Sequence, residues 1–278
     1  MTSNRITDVF LDKLKEDSVE YRTLETSQYN LTEKKNAIRS LMNVRMPRKI
    51  SVELLEAQNQ YLQEELIEKG VVSLSEIPTI QGIDIAYLNH LSIWQGDITR
   101  LAVGAIVNAA NSHMLGCFTP CHKCIDNAIH SAAGMQLRDE CNHIMTNRRM
   151  QYGKEYTEPT GTATLTKAYN LPCDYVIHTV GPIVYGELND SLREDLRNCY
   201  ENVLKCCVEN KIRTVAFCCI STGEFHFPNN EAAKIAIETV TGFLKAHPDS
   251  MERIIFNVFK DNDATIYHDI ILSYNSSI

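Results

Sequence analysis

The stretch Ala105-Ile106-Val107-Asn108-Ala109-Ala110-Asn111 decides the fold of this chain. Its first three residues form the apolar run of a buried strand, and two asparagines separated by two alanines follow that run. Amide side chains both donate and accept hydrogen bonds, which suits the hydroxyls of a ribose. Asparagines also form turns in the absence of any ligand. The local pattern therefore leaves a ligand contact and a simple turn both open.

Around this stretch, from about residue 76 onward, strand patterns alternate with helix patterns. The predicted strands are Ile83–Leu88, His90–Gln95, Ala105–Val107, Ala163–Ala168, Tyr175–Val180, Thr214–Ile220 and Arg253–Phe259. The predicted helices are Ile125–Met145, Leu192–Lys211, Asn230–Ala246 and Asp263–Leu272. This alternation predicts a three-layer α/β/α sandwich. Ligands bind such sheets beyond the carboxyl ends of the strands, so the loops after 105–107 and 214–220 are expected to form the site.

The chain before residue 79 follows a different pattern. Only Gly70 of the twelve glycines precedes residue 80, and glycine is depleted in helices. Apolar spacing predicts one helix around residues 6–14, a second from Thr32, and a third from Ser51, a good N-cap, to Gly70, a good C-terminal cap. We therefore predict a helical N-terminal region over residues 1–78 and a main domain over residues 79–278.

Charge and composition exclude several classes of protein. The formal net charge is -8, which argues against broad nucleic-acid binding, because such binding needs a positive surface. The first ten residues lack the pattern of a signal peptide, and no apolar run approaches the roughly 20 residues that span a bilayer. We expect a cytoplasmic protein with no membrane partner. Its ten cysteines are then expected to be reduced thiols or metal ligands.

Four potential metal ligands lie close together between residues 117 and 124. Cys117, Cys121, His122 and Cys124 fall within eight residues of a loop that leads into a predicted helix. Thiolate and imidazole groups together form a zinc-type ligand set. Three local ligands with an open fourth position are typical of a catalytic zinc site and not of a closed structural one. Reactive or structural thiols are the alternative interpretation.

Two further stretches are candidates for ligand contacts. Gln95–Thr99 places an acid after a strand end and a glycine, where its carboxylate would accept hydrogen bonds from an amino group or cap a turn. Ser221–Pro228 lies between a predicted strand and a predicted helix. Its glycine allows close backbone approach, and N–H groups at a helix start favour a pyrophosphate. An ordinary connecting loop would have a similar composition.

Taken together, these stretches resemble the signature of the macrodomain family in order and spacing. The matching segments are Gly96–Thr99, Val107–Asn111, Asp126–Gly134 and Ser221–Phe225. The resemblance covers roughly residues 82–275. It implies a three-layer α/β/α sandwich with a mixed central sheet, and a ligand that is ADP-ribose.

The chain departs from most hydrolytic macrodomains just before Asp126. A glycine run at that place is replaced by the segment from Cys117 to Cys124. The replacement resembles the zinc-dependent microbial branch of the family, in which a Cys-x4-His-x-Cys motif binds the metal. The resemblance implies one zinc ion held by Cys117, His122 and Cys124. Cys121 falls outside this motif and is an alternative ligand.

The resemblance also implies roles for the other motifs. The implied ligand-binding residues are Asp97, Ile98, Asn108, Asn111, Ser221, Thr222, Gly223, Glu224, Phe225 and Phe259. Asp97 would hold the adenine amino group near the backbone of Ile98, and Phe259 would stack on the adenine. The segment Ser221–Phe225 would wrap the diphosphate, with Phe225 against the distal ribose. Asn111 and Asp126 would act as catalytic residues near the anomeric carbon of that ribose.

The implied activity is removal of mono-ADP-ribose from modified protein side chains. Zinc would either polarise an oxygen of the substrate or activate water, and Asp126 would orient the ribose or accept a proton. Three other functions remain open: a non-catalytic ADP-ribose reader, a hydrolase of small ADP-ribose derivatives such as O-acetyl-ADP-ribose, and an interaction module with a structural zinc. Two histidines are expected to be structural, with His178 in the core and His226 at the surface.

Overall fold

The computed structural model of the chain describes residues 3–80 and 89–275, and a six-stranded mixed sheet forms its centre. The strands are β1 (Val72–Ser73), β2 (Leu91–Gln95), β3 (Leu101–Ala102), β4 (Ala105–Ala110), β5 (Ala163–Lys167), β6 (Tyr175–Val180), β7 (Thr214–Phe217) and β8 (Arg253–Val258). The large sheet has the order β2-β8-β7-β4-β6-β5, and β1 pairs with β3 separately. The predicted strand at 83–88 lies outside the described residues.

Helices flank the sheet, so the predicted three-layer α/β/α arrangement is confirmed. They are α1 (Ser3–Asp17), α2 (Leu31–Val44), α3 (Val52–Lys69), α4 (Ile125–Ala133), α5 (Met135–Tyr152), α6 (Asp190–Glu209), α7 (Asn229–Ala246) and α8 (Asp261–Asn275). None of these helices is long and apolar enough to cross a membrane.

The predicted single helix over residues 125–145 is wrong, because the chain breaks at Gly134 between α4 and α5. Gly134 has a φ of +99°, a conformation that favours glycine. A Cβ at this position would also lie 2.6 Å from Nε2 of Gln58 on α3. The break therefore lets α3 pack closely against the junction of α4 and α5.

The centre of the sheet brings the informative loops to one edge. β4 pairs in parallel with both β6 and β7, and among the strands that the structure describes only β5 runs antiparallel to its neighbour. The pairing of β4 with β6 continues to Ala110, so β4 is longer than the predicted strand at 105–107. Asn108 consequently lies inside β4, opposite His178, and does not follow the strand as expected. Because β4 and β7 are parallel neighbours, the loops that follow them leave the sheet on the same side.

The three N-terminal helices form a second hydrophobic core. Its largest fully buried side chains include Phe10, Leu11, Ile38 and Leu54, and Met135 of α5 packs into the same cluster. Ser51 caps α3 as predicted, since its hydroxyl accepts a hydrogen bond from the backbone N–H of Leu54 at 3.2 Å. The N-terminal helices thus have their own core, but they also pack against the main domain. The domain boundary at residue 78 stays a prediction.

Candidate active site

The carboxylate of Asp126 lies in the first turn of α4, and the residue is 5% exposed. Its Oδ1 accepts a hydrogen bond from Nδ2 of Asn108 at 2.8 Å, and its Oδ2 accepts one from Nδ2 of Asn111 at 3.3 Å. Burial raises the pKa of Asp126 to about 6, and this effect exceeds the opposing effects of the two amides and of the Arg138 charge. The structure therefore brings together the two predicted catalytic residues.

Asn108 belongs to a buried chain of hydrogen bonds behind Asp126. Its Nδ2 also lies 3.0 Å from Nδ1 of His178, whose Nε2 lies 3.0 Å from Oγ1 of Thr166. The amide donates, so Nδ1 of His178 accepts and Nε2 carries the proton. Asn108 is 0% exposed and supports Asp126 in this arrangement. Its direct contact with ADP-ribose stays a prediction.

The predicted metal ligands Cys117, His122 and Cys124 come together in the loop between β4 and α4. Their candidate ligand atoms lie within 4.8 Å of one another, and each residue is half-buried. Within residues 3–80 and 89–275, no group hydrogen-bonds to the buried ring atom Nδ1 of His122, whereas Nε2 lies 3.7 Å from Oε1 of Glu224. Two thiols and an imidazole with an unpartnered nitrogen fit a zinc ion, which binds such donors tetrahedrally.

Cys124 has a second structural role as the N-cap of α4. Its Sγ accepts a hydrogen bond from the backbone N–H of Asn127 at 3.4 Å. Burial, together with the charges of Cys117 and Asp126, raises the pKa of the Cys124 thiol to about 12. A cation beside these thiols would favour their thiolate forms.

Cys121 lies outside the ligand cluster. Its Sγ is 3.2 Å from Oγ of Ser40 and donates to the backbone carbonyl of Asn36 at 3.4 Å, so the side chain faces α2. The Cys121 backbone has a positive φ of 53°. This conformation turns the loop between Cys117 and His122. The geometry thus supports the three-residue motif and not Cys121 as a ligand.

The loop that follows β7 is built around an inward-facing serine. Ser221 has a φ of +65° and is 5% exposed, and no described residue forms a hydrogen bond with its hydroxyl. The loop closes through a hydrogen bond of 3.0 Å from the Phe227 N–H to the Ser221 carbonyl. Gly223 and Glu224 are exposed, and a Cβ on Gly223 would meet no atom within 4 Å. His226 is exposed, as expected. The exposed backbone of this loop is available to a ligand.

The residues predicted to contact adenine lie near the ends of β2 and β8. The Oδ1 atom of Asp97 accepts hydrogen bonds from the backbone N–H of Thr99 at 3.0 Å and from its hydroxyl at 2.6 Å. Asp97 therefore caps a short 3₁₀ turn, and its Oδ2 lies 3.6 Å from Nζ of Lys69. Phe259 directly follows β8 and is 74% exposed. Its ring is accessible, and the adenine roles of both residues stay predictions.

Comparisons with known proteins identify the family of this chain. The family model described as "Macro domain" matches residues 107–236. A protein of Treponema medium named "Protein-ADP-ribose hydrolase" is 48% identical over 239 residues, which are 86% of this chain and 88% of that protein. The chain belongs to the macrodomain family. A protein with the same name from Staphylococcus aureus strain MSSA476 is 42% identical over 232 residues, which cover 83% of this macrodomain chain and 82% of its relative.

Solved structures show the same fold. A macrodomain of Trypanosoma brucei in complex with ADP-ribose matches with a TM-score of 0.64 and 28% identity. The match covers 84% of this chain and 94% of the other. The predicted macrodomain sandwich with a mixed sheet and N-terminal helices is therefore confirmed.

Sequence reasoning missed the residues that support this macrodomain site from other elements. Arg138 of α5 is 5% exposed and donates to the backbone carbonyls of Leu115 at 2.7 Å and Cys117 at 3.4 Å. The same guanidinium donates to three carbonyls at the end of α2, those of Met42, Asn43 and Arg45. No short motif signals such contacts, because the partners on α2 lie more than 90 residues away in sequence.

A second cluster of potential ligands consists of His130, Cys141 and His178. Their candidate ligand atoms also lie within 4.8 Å of one another, but all three residues are buried. Both ring nitrogens of His178 have hydrogen-bond partners, as expected for a core histidine. His130 packs its ring under Gly116, where a Cβ would lie 2.8 Å from the ring. We therefore interpret this cluster as buried polar packing beneath the loop that carries the predicted metal ligands.

Proposed function

We propose that this macrodomain hydrolyses the bond between ADP-ribose and a modified protein side chain, with zinc at Cys117, His122 and Cys124. The observation that supports this proposal most strongly is the position of Asp126, two residues after Cys124 in the same helix turn. Two amides hold both oxygens of the Asp126 carboxylate. A reader needs only a binding cleft, whereas this arrangement adds a fixed carboxylate beside a soft-metal ligand set.

The protein's own residues would have distinct roles in binding and hydrolysis. The loop from Ser221 to Phe225 would hold the diphosphate through its exposed backbone and the unpartnered Ser221 hydroxyl. Asn111 would position the distal ribose, and the Asp126 carboxylate would orient that ribose or accept a proton from the attacking water. When bound, zinc supplies Lewis-acid stabilisation of negative charge that develops on an oxygen during glycoside cleavage.

The names of similar proteins support the reaction class. Relatives that align along most of their length are named protein-ADP-ribose hydrolases, and a macrodomain with the same fold was solved with ADP-ribose bound. We therefore propose mono-ADP-ribosylated protein as substrate. The cytoplasmic location expected from the sequence is a separate proposal.

The deciding experiment is release of ADP-ribose from mono-ADP-ribosylated proteins that carry the modification on different side-chain types. Native enzyme, chelator-stripped enzyme and enzyme with zinc restored are assayed together, and ADP-ribose binding is measured by calorimetry for each. We expect release to disappear on stripping and to return with zinc, while binding of free ADP-ribose persists.

Other outcomes would select other functions. Binding without release from any acceptor would identify a reader. Release from O-acetyl-ADP-ribose alone would identify a hydrolase of small ADP-ribose derivatives. Unfolding of the loop on stripping, with no ADP-ribose binding in either form, would identify a structural zinc. Full turnover by the stripped enzyme would exclude zinc from the reaction.

A further inference from the structure

Helix α2 of the N-terminal region lies against the loop that carries the proposed metal ligands. Three consecutive turns of this helix contact the loop through Asn36, Arg39, Ser40 and Asn43. These contacts join residues that are 78–85 positions apart in sequence. The metal loop therefore has one wall that the main domain does not supply.

Arg39 makes the contacts that reach the ligands most directly. Its Nη2 donates to the backbone carbonyl of His122 at 3.0 Å and to Oδ1 of Asn127 at 2.7 Å, and its Nε donates to the same Oδ1 at 3.0 Å. The planar guanidinium thus fixes two acceptors at once, which a point charge such as an ammonium does less well.

Asn127 passes this restraint on to the rest of the loop. It is 0% exposed, and its Nδ2 donates to the backbone carbonyl of Thr119 at 3.0 Å. Its backbone N–H donates to Sγ of Cys124 at 3.4 Å. Arg39 therefore restrains His122 directly, through the His122 carbonyl, and restrains Cys124 indirectly, through Asn127.

A second contact holds the turn between the ligands. Oδ1 of Asn43 accepts a hydrogen bond from the backbone N–H of Cys121 at 2.9 Å, and Asn43 is 1% exposed. Cys121 is the residue with positive φ. The N-terminal region therefore holds the loop on both sides of His122.

We propose that α2 is part of the metal centre and that Arg39 is a positioning residue for zinc, acting on His122 and, through Asn127, on Cys124. This inference rests on the proposed zinc site. Groups of this kind around a metal typically change its affinity by about 10–100-fold when they are removed, because the ligands lose their preset orientation.

The test compares Arg39→Ala, Arg39→Lys and a matched control, Lys35→Ala, in the full chain. Lys35 lies one turn earlier on α2 and pairs with Glu65 at 2.7 Å and Glu68 at 2.6 Å on α3, so its removal loosens α2 without touching the metal loop. Zinc affinity is measured by competition with a chromophoric chelator. The Co²⁺-substituted proteins are compared by their thiolate and ligand-field absorption bands. Thermal unfolding of the metal-free proteins reports stability.

We expect Arg39→Ala to weaken zinc binding by about 10–100-fold and to alter the cobalt bands. Lys35→Ala should keep the zinc affinity and the cobalt bands of the wild type, even if its melting temperature falls as much as that of Arg39→Ala. Arg39→Lys should recover part of the affinity, and it replaces Arg39→Ala in the comparison if the alanine variant does not fold.

Zinc affinity within twofold of wild type and unchanged cobalt bands in both Arg39 variants would overturn the inference and leave the zinc site intact. Equal loss of affinity in Lys35→Ala would show that α2 acts only through general stability. Absence of zinc binding by the wild-type protein would instead reject the zinc site itself.

Discussion

The side chain of Asn108 places its amide nitrogen 2.8 Å from Oδ1 of Asp126, and both residues are buried. Asn108 lies in β4, one of the two middle strands of the sheet, whereas Asp126 lies in the first turn of α4, directly after the cysteine loop. The hydrogen bond therefore ties the carboxylate to a strand that is paired on both sides. His178, opposite Asn108 on β6, fixes the amide from its other side.

Replacement of Asn108 by alanine should lower turnover more than it lowers ADP-ribose affinity. A hydrogen bond to a charged group contributes about 1.5–3 kcal/mol, so we expect kcat to fall by roughly 10–150-fold. Single-turnover release of ADP-ribose measures the chemical step, and calorimetry measures affinity. Thr241→Ala is the control, because it removes a buried hydroxyl on α7 that bonds only within its own helix. Unchanged single-turnover rates in Asn108→Ala would show that Asp126 needs no such support.

Serine substitutions at the loop cysteines should separate ligands from neighbours. Cys117→Ser and Cys124→Ser should lose stoichiometric zinc, because a hydroxyl is a poor zinc ligand at neutral pH. Cys124→Ser should keep α4 intact, since serine is itself a good N-cap. Cys121→Ser is the matched control and should keep one zinc per chain, which elemental analysis of the purified proteins measures. Zinc loss in Cys121→Ser alone would move the ligand assignment to that residue.

Substitution of Gly223 tests the loop after β7. Alanine at this position meets no atom within 4 Å, so the stability of the free protein should not change. A diphosphate held by the loop backbone would collide with the added methyl group, and ADP-ribose affinity should fall by about tenfold or more. Gly242→Ala is the control, since Gly242 is exposed within α7 and its Cβ also meets nothing.

The control carries an expectation of its own. Gly242→Ala should raise the free energy of unfolding by about 0.5–1 kcal/mol, as alanine is the better helix former. Urea unfolding checks this value. An equal loss of ADP-ribose affinity in both glycine variants would rule out a specific contact at Gly223.

Removal of the Arg138 side chain should destabilise the whole protein. Burial lowers the pKa of Arg138 to about 10, but the group stays charged at neutral pH and serves carbonyls from α2 and from the metal loop. Arg138→Leu leaves these carbonyls without a donor and should cost about 3 kcal/mol or more, as measured by urea unfolding. Arg149→Leu on the same helix removes one long bond of 3.4 Å and should cost far less. Similar losses in the two variants would contradict this role of Arg138.

Acid should destabilise the protein through His178. Burial lowers the pKa of His178 to about 3, whereas an unfolded histidine has a pKa near 6.5. Below about pH 6.5 the unfolded state binds a proton that the folded state does not, so stability falls as pH falls towards about 3. His178→Gln removes the imidazole that takes up this proton. The slope of the unfolding free energy with pH should then become shallower by about 1.4 kcal/mol per pH unit.

The measurement uses metal-free protein at pH 4 to 6, so that metal release does not contribute. His247→Gln, which replaces an exposed histidine just after α7, is the comparison. Parallel slopes for wild type and His178→Gln would show that His178 is protonated in the folded state.

The sequence predicted the strands of the six-stranded sheet and most helices because their signals are local. Apolar runs and caps such as Ser51 and Gly70 act within one element, and the three candidate metal ligands lie within eight consecutive residues. The break at Gly134 escaped prediction because it depends on close packing against Gln58, a residue of another helix. Asn108 was placed after its strand because the apolar run ends before it, whereas pairing with β6 continues the strand to Ala110.

The support of the candidate site could not be predicted for the same reason. In the sequence, Arg39 and Arg138 look like ordinary charged helix residues. Their supporting role depends on backbone carbonyls that tertiary packing brings near them. Long-range contacts of this kind have no period and no motif. A charged residue on a helix is therefore a weak signal until the packing of that helix is known.

The contact of α2 with residues 117–124 limits how this loop can be exchanged between proteins. A graft of these eight residues into a macrodomain that lacks the N-terminal helices would carry the three ligands. It would leave the Cys121 N–H without Asn43 and the His122 carbonyl without Arg39. The smallest unit that a designer could transplant is therefore discontinuous. It consists of the loop, the first turn of α4, Arg138 and helix α2 of the N-terminal region.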